Sequence, residues 1–167
     1  MKALKKSLPV ILFFMAIIGD VTLVTAQKSK SAKETVIKNL IDNQQYVFYA
    51  QSVIPMSGRQ RFLTTDYTVN VSKDTIVSDL PFFGRAYSVP MNPTEGGIKF
   101  TSTNFDYKLA ARKKGGWDIT IKPKDVQEVQ QLTLTIFEDG TASLQVSSTN
   151  RQPISFNGYI TEKKIKQ

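Results

Sequence analysis

The chain has 167 residues, a formal net charge of +8, and neither cysteine nor histidine. Without cysteine there are no disulfides, no thiol catalysis, no Cys-ligated zinc and no lipid anchor on a cleavage-site cysteine. Without histidine, Ser-His-Asp chemistry and histidine-based metal sites are excluded, and the usual general base near neutral pH is missing.

The first 26 residues have the three-part layout of a secretory signal. Lys2, Lys5 and Lys6 make a basic start, and Leu8 to Ile18 is an apolar run of 11 residues. That is short of the roughly 20 needed to span a bilayer. Val24-Thr25-Ala26 offers a peptidase site, so cleavage is expected after Ala26 and no stable membrane span remains. Removing three lysines and Asp20 with the leader takes the charge from +8 to +6. The remaining lysines and arginines are spread along the chain, which describes a solvated surface better than a nucleic-acid footprint. An exported setting, periplasmic or extracellular, also argues against nucleic acid as partner.

Residues 27–33 read as a flexible polar leader, 34–162 as a single domain and 163–167 as a polar tail. Val36, Ile37, Leu40 and Ile41 recur at helical spacing, so a short amphipathic helix ends near Asn43. Period-two alternation follows. Strands are expected at 46–50, 67–72 and 75–78, with a loop marked by Pro55, Ser57 and Gly58 between the first two. Residues 79–97 are rich in proline and glycine, with a brief strand-like piece at 85–89. Alternation resumes over 98–102, turns at Asn104 and continues over 105–111. Lys113-Lys114-Gly115-Gly116 and Glu138-Asp139-Gly140 are hairpin loops, and strands are expected at 117–121, 132–136, 142–146 and 154–160.

Nine or ten short strands without βαβ spacing predict an all-β antiparallel meander. Consecutive hairpins favour a lipocalin-like barrel over a β-sandwich, with one short N-terminal helix.

The most distinctive stretch is Asp79-Leu80-Pro81-Phe82-Phe83-Gly84-Arg85-Ala86-Tyr87. On an extended chain Phe82 and Phe83 point to opposite faces, one into the core and one outward. With Arg85 and Tyr87 beside them they make a candidate binding lip for a sugar or lipid. The structural alternative is a corner plugged by phenylalanine and locked by arginine. Arg151, in the last turn, is a second guanidinium, and convergence with Arg85 would suit an anionic ligand. The other aromatics fall at alternating strand positions, where core packing is the default. Aspartates mostly flank turns, no carboxylate pair stands out for glycosidase-type chemistry, and no calcium loop or other cofactor site is spelled out.

The run SDLPFFGRAY, together with Gly96-Gly97-Ile98-Lys99-Phe100, Gly116-Trp117 and the NRQPISFNG segment from Asn150 to Gly158, resembles a family of small exported proteins of unknown function in gut-type Bacteroidetes. The resemblance spans about residues 34–162. It implies an envelope or periplasmic all-β domain and brings no activity or catalytic residue with it. The expected role is a non-enzymatic binding module for a small apolar or amphiphilic ligand. The alternatives are a structural or protein-interaction domain of the envelope and, third, a carboxylate-only hydrolase.

Overall fold

A computed structural model of the chain describes residues 32–87 and 96–163. The expected signal (1–26), residues 27–31 of the leader, Ser88 and Val89 of the strand-like piece, and residues 164–167 of the tail lie outside the described residues.

The first element, α1, covers 32–42 and so already includes two residues expected in the leader. It buries Ile37 and Ile41. It stops as a helix stops when its last carbonyls are recaptured: Gln44 takes φ 51°, its N–H donates to Ile41 O at 3.0 Å, and Gln45 N–H donates to Leu40 O at 3.0 Å.

Nine strands follow: β1 Tyr46–Pro55, β2 Arg61–Val71, β3 Ile76–Leu80, β4 Ile98–Ser102, β5 Phe105–Ala111, β6 Trp117–Pro123, β7 Val129–Ile136, β8 Thr141–Ser148 and β9 Ile154–Thr161. The tight hairpins are where glycine can supply a positive φ. Gly115 and Gly116 are both at 86° and Gly140 at 87°, and the turns close through Arg112 N–H to Gly116 O (3.0 Å) and Phe137 N–H to Thr141 O (2.9 Å). The first two strands are longer than the alternation suggests, since Arg61 to Asp66 and Gln51 to Pro55 carry no clean period of two. The 85–89 piece contributes one isolated bridge, Ala86 to Arg151.

All nine strands belong to one sheet of order β4-β3-β2-β1-β9-β8-β7-β6-β5. This is the barrel-like alternative, a single sheet curled nearly shut. The turn at Asn104 does not make a hairpin, although alternation on either side of it predicts one. Every adjacent pair is antiparallel, so in a nine-stranded order the first and last strands, β4 and β5, run the same way. They are also consecutive in sequence, separated only by Thr103 and Asn104. They are therefore two halves of one kinked strand. The first half pairs with β3 and the second with β6, which closes an eight-stranded wall. The physical reason is local. A two-residue hairpin needs positive φ, and neither Thr103 nor Asn104 has it.

Asp125 holds the kink. Its carboxylate accepts from Ser102 Oγ, from Thr103 N–H at 2.8 Å and from Asn104 N–H at 3.1 Å. Lys124 N–H donates back to Asn104 O at 2.8 Å.

The interior is filled by side chains. Phe48, Ile76, Leu80, Ile119, Ile121, Leu132, Leu134, Leu144 and Phe156 are all fully buried, as in a small barrel whose lumen is core rather than cavity. Tyr46 is also fully buried, its hydroxyl 3.3 Å from that of Tyr107 on β5. Burial, and then Tyr107 itself, pushes its ionisation well above the usual tyrosine range.

Two predictions test this architecture. A Cβ at Gly158 would stand 1.8 Å from Tyr49 O, whereas at Gly96 nothing lies within 4 Å. Gly158→Ala is expected to cost about 3 kcal/mol in urea unfolding, and Gly96→Ala less than about 0.5 kcal/mol. The hydrogen bonds from Ser102 and the Thr103 N–H pull the Asp125 carboxyl down to about 2. A lowered carboxyl contributes stability above its unfolded value, and that contribution is lost as pH falls through the folded one. Wild type is thus expected to lose melting temperature between about pH 4 and 2 more steeply than Asp125→Asn, which starts lower at neutral pH.

Candidate functional site

The kink leaves a gap in the barrel wall. Beyond Pro123 the chain leaves the ladder, and residues 126–129 face β4 across an open cleft of about 400 Å³ instead of pairing with it. One wall is Gly97 to Phe100 and the other Val126 to Val129, with Ser148 and Arg151 completing the lining. Ile98 and Val129 are buried, Phe100 and Val126 half-buried, and Lys99, Gln127 and Glu128 exposed. The cleft therefore has apolar side chains in both walls and a charged rim.

Among the described residues Arg151 is the cleft's one buried cation, at 6% exposure. The turn from β8 places it. Thr149 N–H donates to Glu128 O at 3.0 Å and Thr149 Oγ1 to Gln127 O at 3.1 Å, so the turn is tied to the far wall. The guanidinium then reaches three segments at once. Nη1 donates to Gly97 O at 2.9 Å, Nη2 lies 3.5 Å from Glu128 Oε2, and the plane sits over the Phe82 ring at 5.1 Å. A guanidinium has five N–H donors. Among the described residues, one is used in a well-formed hydrogen bond, and the contact to Glu128 is long and half open to water.

The five residues singled out from the sequence separate. Arg151 lines the cleft and Phe82 lies beneath its guanidinium. Phe82 and Phe83 do not split between core and solvent; both pack half-buried against the core. The reason is that 81–84 is not a strand, and the Phe82 ring folds back over Gly84, where a Cβ would meet it at 2.9 Å. Phe83 is covered by Arg61 at 5.3 Å. Arg85 and Tyr87 project outward, Tyr87 at 72% exposure. The backbones of 85–87 and 150–152 do run together, through Tyr87 N–H to Asn150 O at 2.8 Å and Gln152 N–H to Arg85 O at 3.2 Å. Their arginine side chains do not converge: Arg151 turns inward while Arg85 stays exposed.

Sequence reading missed Lys99, Val126 and Glu128 as neighbours of Arg151. The Gly96 to Phe100 segment was conspicuous, but nothing in Val126-Gln127-Glu128-Val129 marks it as a cleft wall. Among the described residues no three Asp or Glu side chains gather into a group that could hold a metal.

The comparisons with known proteins agree with this architecture. No curated protein matches the chain. A crystal structure of a DUF4251 family protein from Bacteroides eggerthii shares the fold, with a TM-score of 0.61 at 20% identity, over 81% of this chain and 91% of the other. The family model for the domain of unknown function DUF4251 matches residues 28–160. Matched over most of its length, the chain belongs to the DUF4251 family, whose function is not known.

Proposed function

We propose that this chain is an exported, non-enzymatic binding module that takes a small amphiphilic ligand with an acidic head group in the cleft between β4 and residues 126–129. The observation that carries the reading is a built cleft with a buried cation at its base. Its volume of about 400 Å³ lies in the range of small-molecule sites. The Arg151 guanidinium is suited to a carboxylate or phosphate, and Lys99, ion-paired with Asp79 at 3.0 Å, stands at the rim. Ile98, Phe100, Val126 and Val129 supply apolar surface for a short chain.

The packed lumen leaves no room for a ligand inside the barrel. With Phe48, Leu134 and Phe156 fully buried there, the ligand sits in the wall. Export is supported by the three-part layout of the N-terminus.

A second reading rests on a different feature. β4 and β5 each have one unpaired edge, and a partner's extended segment adding to β4 would make the protein an interaction domain of the envelope.

Glu128 gives the sharpest test, because its carboxylate occupies the place an acidic head would take beside Arg151. In calorimetric titration with dodecanoate, wild type is expected to bind in the micromolar range. Lys99→Ala is expected to weaken binding, Val126→Asp to abolish it, and Glu128→Gln to tighten it. Absence of heat with wild type, or indifference to all three substitutions, refutes the cleft. N-terminal sequencing of the protein recovered from an envelope fraction is expected to begin at Gln27.

A further inference from the structure

The outer face of the barrel carries a second constellation, on the far side of the sheet order from the cleft. Tyr49 on β1 and Tyr159 on β9 are directly opposed in the ladder. Their rings are nearly parallel, at 11°, with centroids 5.5 Å apart. Phe62 stands close by at 83% exposure. Phe62 lies near the start of β2, where no β3 residue pairs with it, and with the two tyrosines it forms a contiguous exposed aromatic patch of the kind that marks interaction surfaces.

The backbone makes room for it. The register of β1 with β2 passes from Ala50 opposite Tyr67 to Ser52 opposite Phe62, so residues 63–66 of β2 stand against Gln51 alone. The ladder of β1 with β9 shifts at the same point. β2 therefore bows away from β1 and opens a groove of about 350 Å³, lined by Tyr49, Gln51, Phe62, Thr64, Asp66 and Tyr159 among others. Gly158 keeps the opposite side tight. With no Cβ it lets β9 approach Tyr49 O closely enough to set Tyr159 beside Tyr49.

From this groove we infer that the protein binds an uncharged oligosaccharide on the Tyr49–Tyr159–Phe62 face. The chemistry selects this class. Aromatic faces carry partial negative charge and attract the C–H groups on the flat side of a pyranose ring. Gln51, Thr64, Thr65 and Asp66 offer amide, hydroxyl and carboxylate groups to sugar hydroxyls. Charge argues against an anion: in a chain of net charge +8, no lysine or arginine among the described residues lines this groove, and among them its one charged lining residue is Asp66. The cleft at Arg151 has Lys99 as well. β1 and β9 each have a paired strand on both sides and offer no edge for strand addition, whereas β2 pairs with β3 only over Thr68–Val71. The aromatic and hydroxyl side chains of the groove are the groups that select a sugar over a peptide strand.

The test is calorimetric titration of the full mature chain with cellohexaose, maltoheptaose and mannohexaose at millimolar concentration. At least one is expected to bind in the micromolar to millimolar range. Phe62→Ala and Tyr159→Ala are each expected to weaken it about tenfold, the scale of one lost aromatic contact. Tyr159→Phe is expected to keep most of the affinity, and Glu128→Gln, in the other cleft, all of it. Dodecanoate is expected not to displace the sugar, so either site can fail without the other. The inference is overturned by no binding of any of the three sugars, or by binding that Phe62→Ala and Tyr159→Ala leave unchanged. It is equally overturned by a dimer in solution that Phe62→Ala converts to monomer, which would assign the face to self-association.

Discussion

The kink at Thr103 and Asn104 determines how the whole sheet closes. Had those two residues formed a hairpin, β4 and β5 would pair with each other and the terminal strands would have to find other partners. Instead the chain keeps its direction through the kink, and one strand serves two neighbours, β3 before it and β6 after it. Closure then follows from β1 pairing β9, which joins the two ends of the domain. Asp125 makes the kink a fixed point rather than a floppy joint, since it satisfies two backbone N–H groups that the interrupted ladder would leave open.

The same interruption accounts for the cleft. A strand shared between two partners cannot be paired along both edges over its full length. Where β4 has left β6 behind, the wall parts, and residues 126–129 fill the breach without hydrogen-bonding to β4. Arg151 closes its base by holding Gly97, Glu128 and Phe82 together. A buried guanidinium shared among three segments is a structural device. It also sets a positive charge beside the open cleft. Its bond to Gly97 O is short at 2.9 Å, and its ion pair with Glu128 is long at 3.5 Å.

The wall also departs from regular pairing at the bulge in β1. There the extra residues of β2 bow outward and leave Phe62 uncovered. Both grooves thus arise from irregularities in an otherwise regular ladder, which is where bulges and broken pairings place functional surfaces in β proteins. The lumen, built from alternating large aliphatic and aromatic residues, holds the fold together.

What the sequence determined by itself was local. Helical spacing of Val36, Ile37, Leu40 and Ile41 predicts a helix with one buried face; Ile37 and Ile41 are buried and Leu40 half-buried, while Val36 stays 57% exposed. Alternation over 132–136, 142–146 and 154–160 predicts strands that the structure places in β7, β8 and β9. Gly115, Gly116 and Gly140 mark hairpins because few other residues adopt their backbone angles at low cost. The family resemblance was legible for the same reason, in short runs of residues. What only the tertiary structure decided was which segments meet. Alternation is identical on the two sides of a hairpin and on the two sides of a kink, so the sequence around Asn104 could not distinguish them. Arg151 reads as one more turn residue until Phe82, Gly97 and Glu128 arrive around it from three distant stretches. Tyr49, Tyr159 and Phe62 read as core by default, because whether an alternating position faces the lumen or the solvent depends on the register of neighbouring strands. That register was shifted by a bulge no local pattern announces.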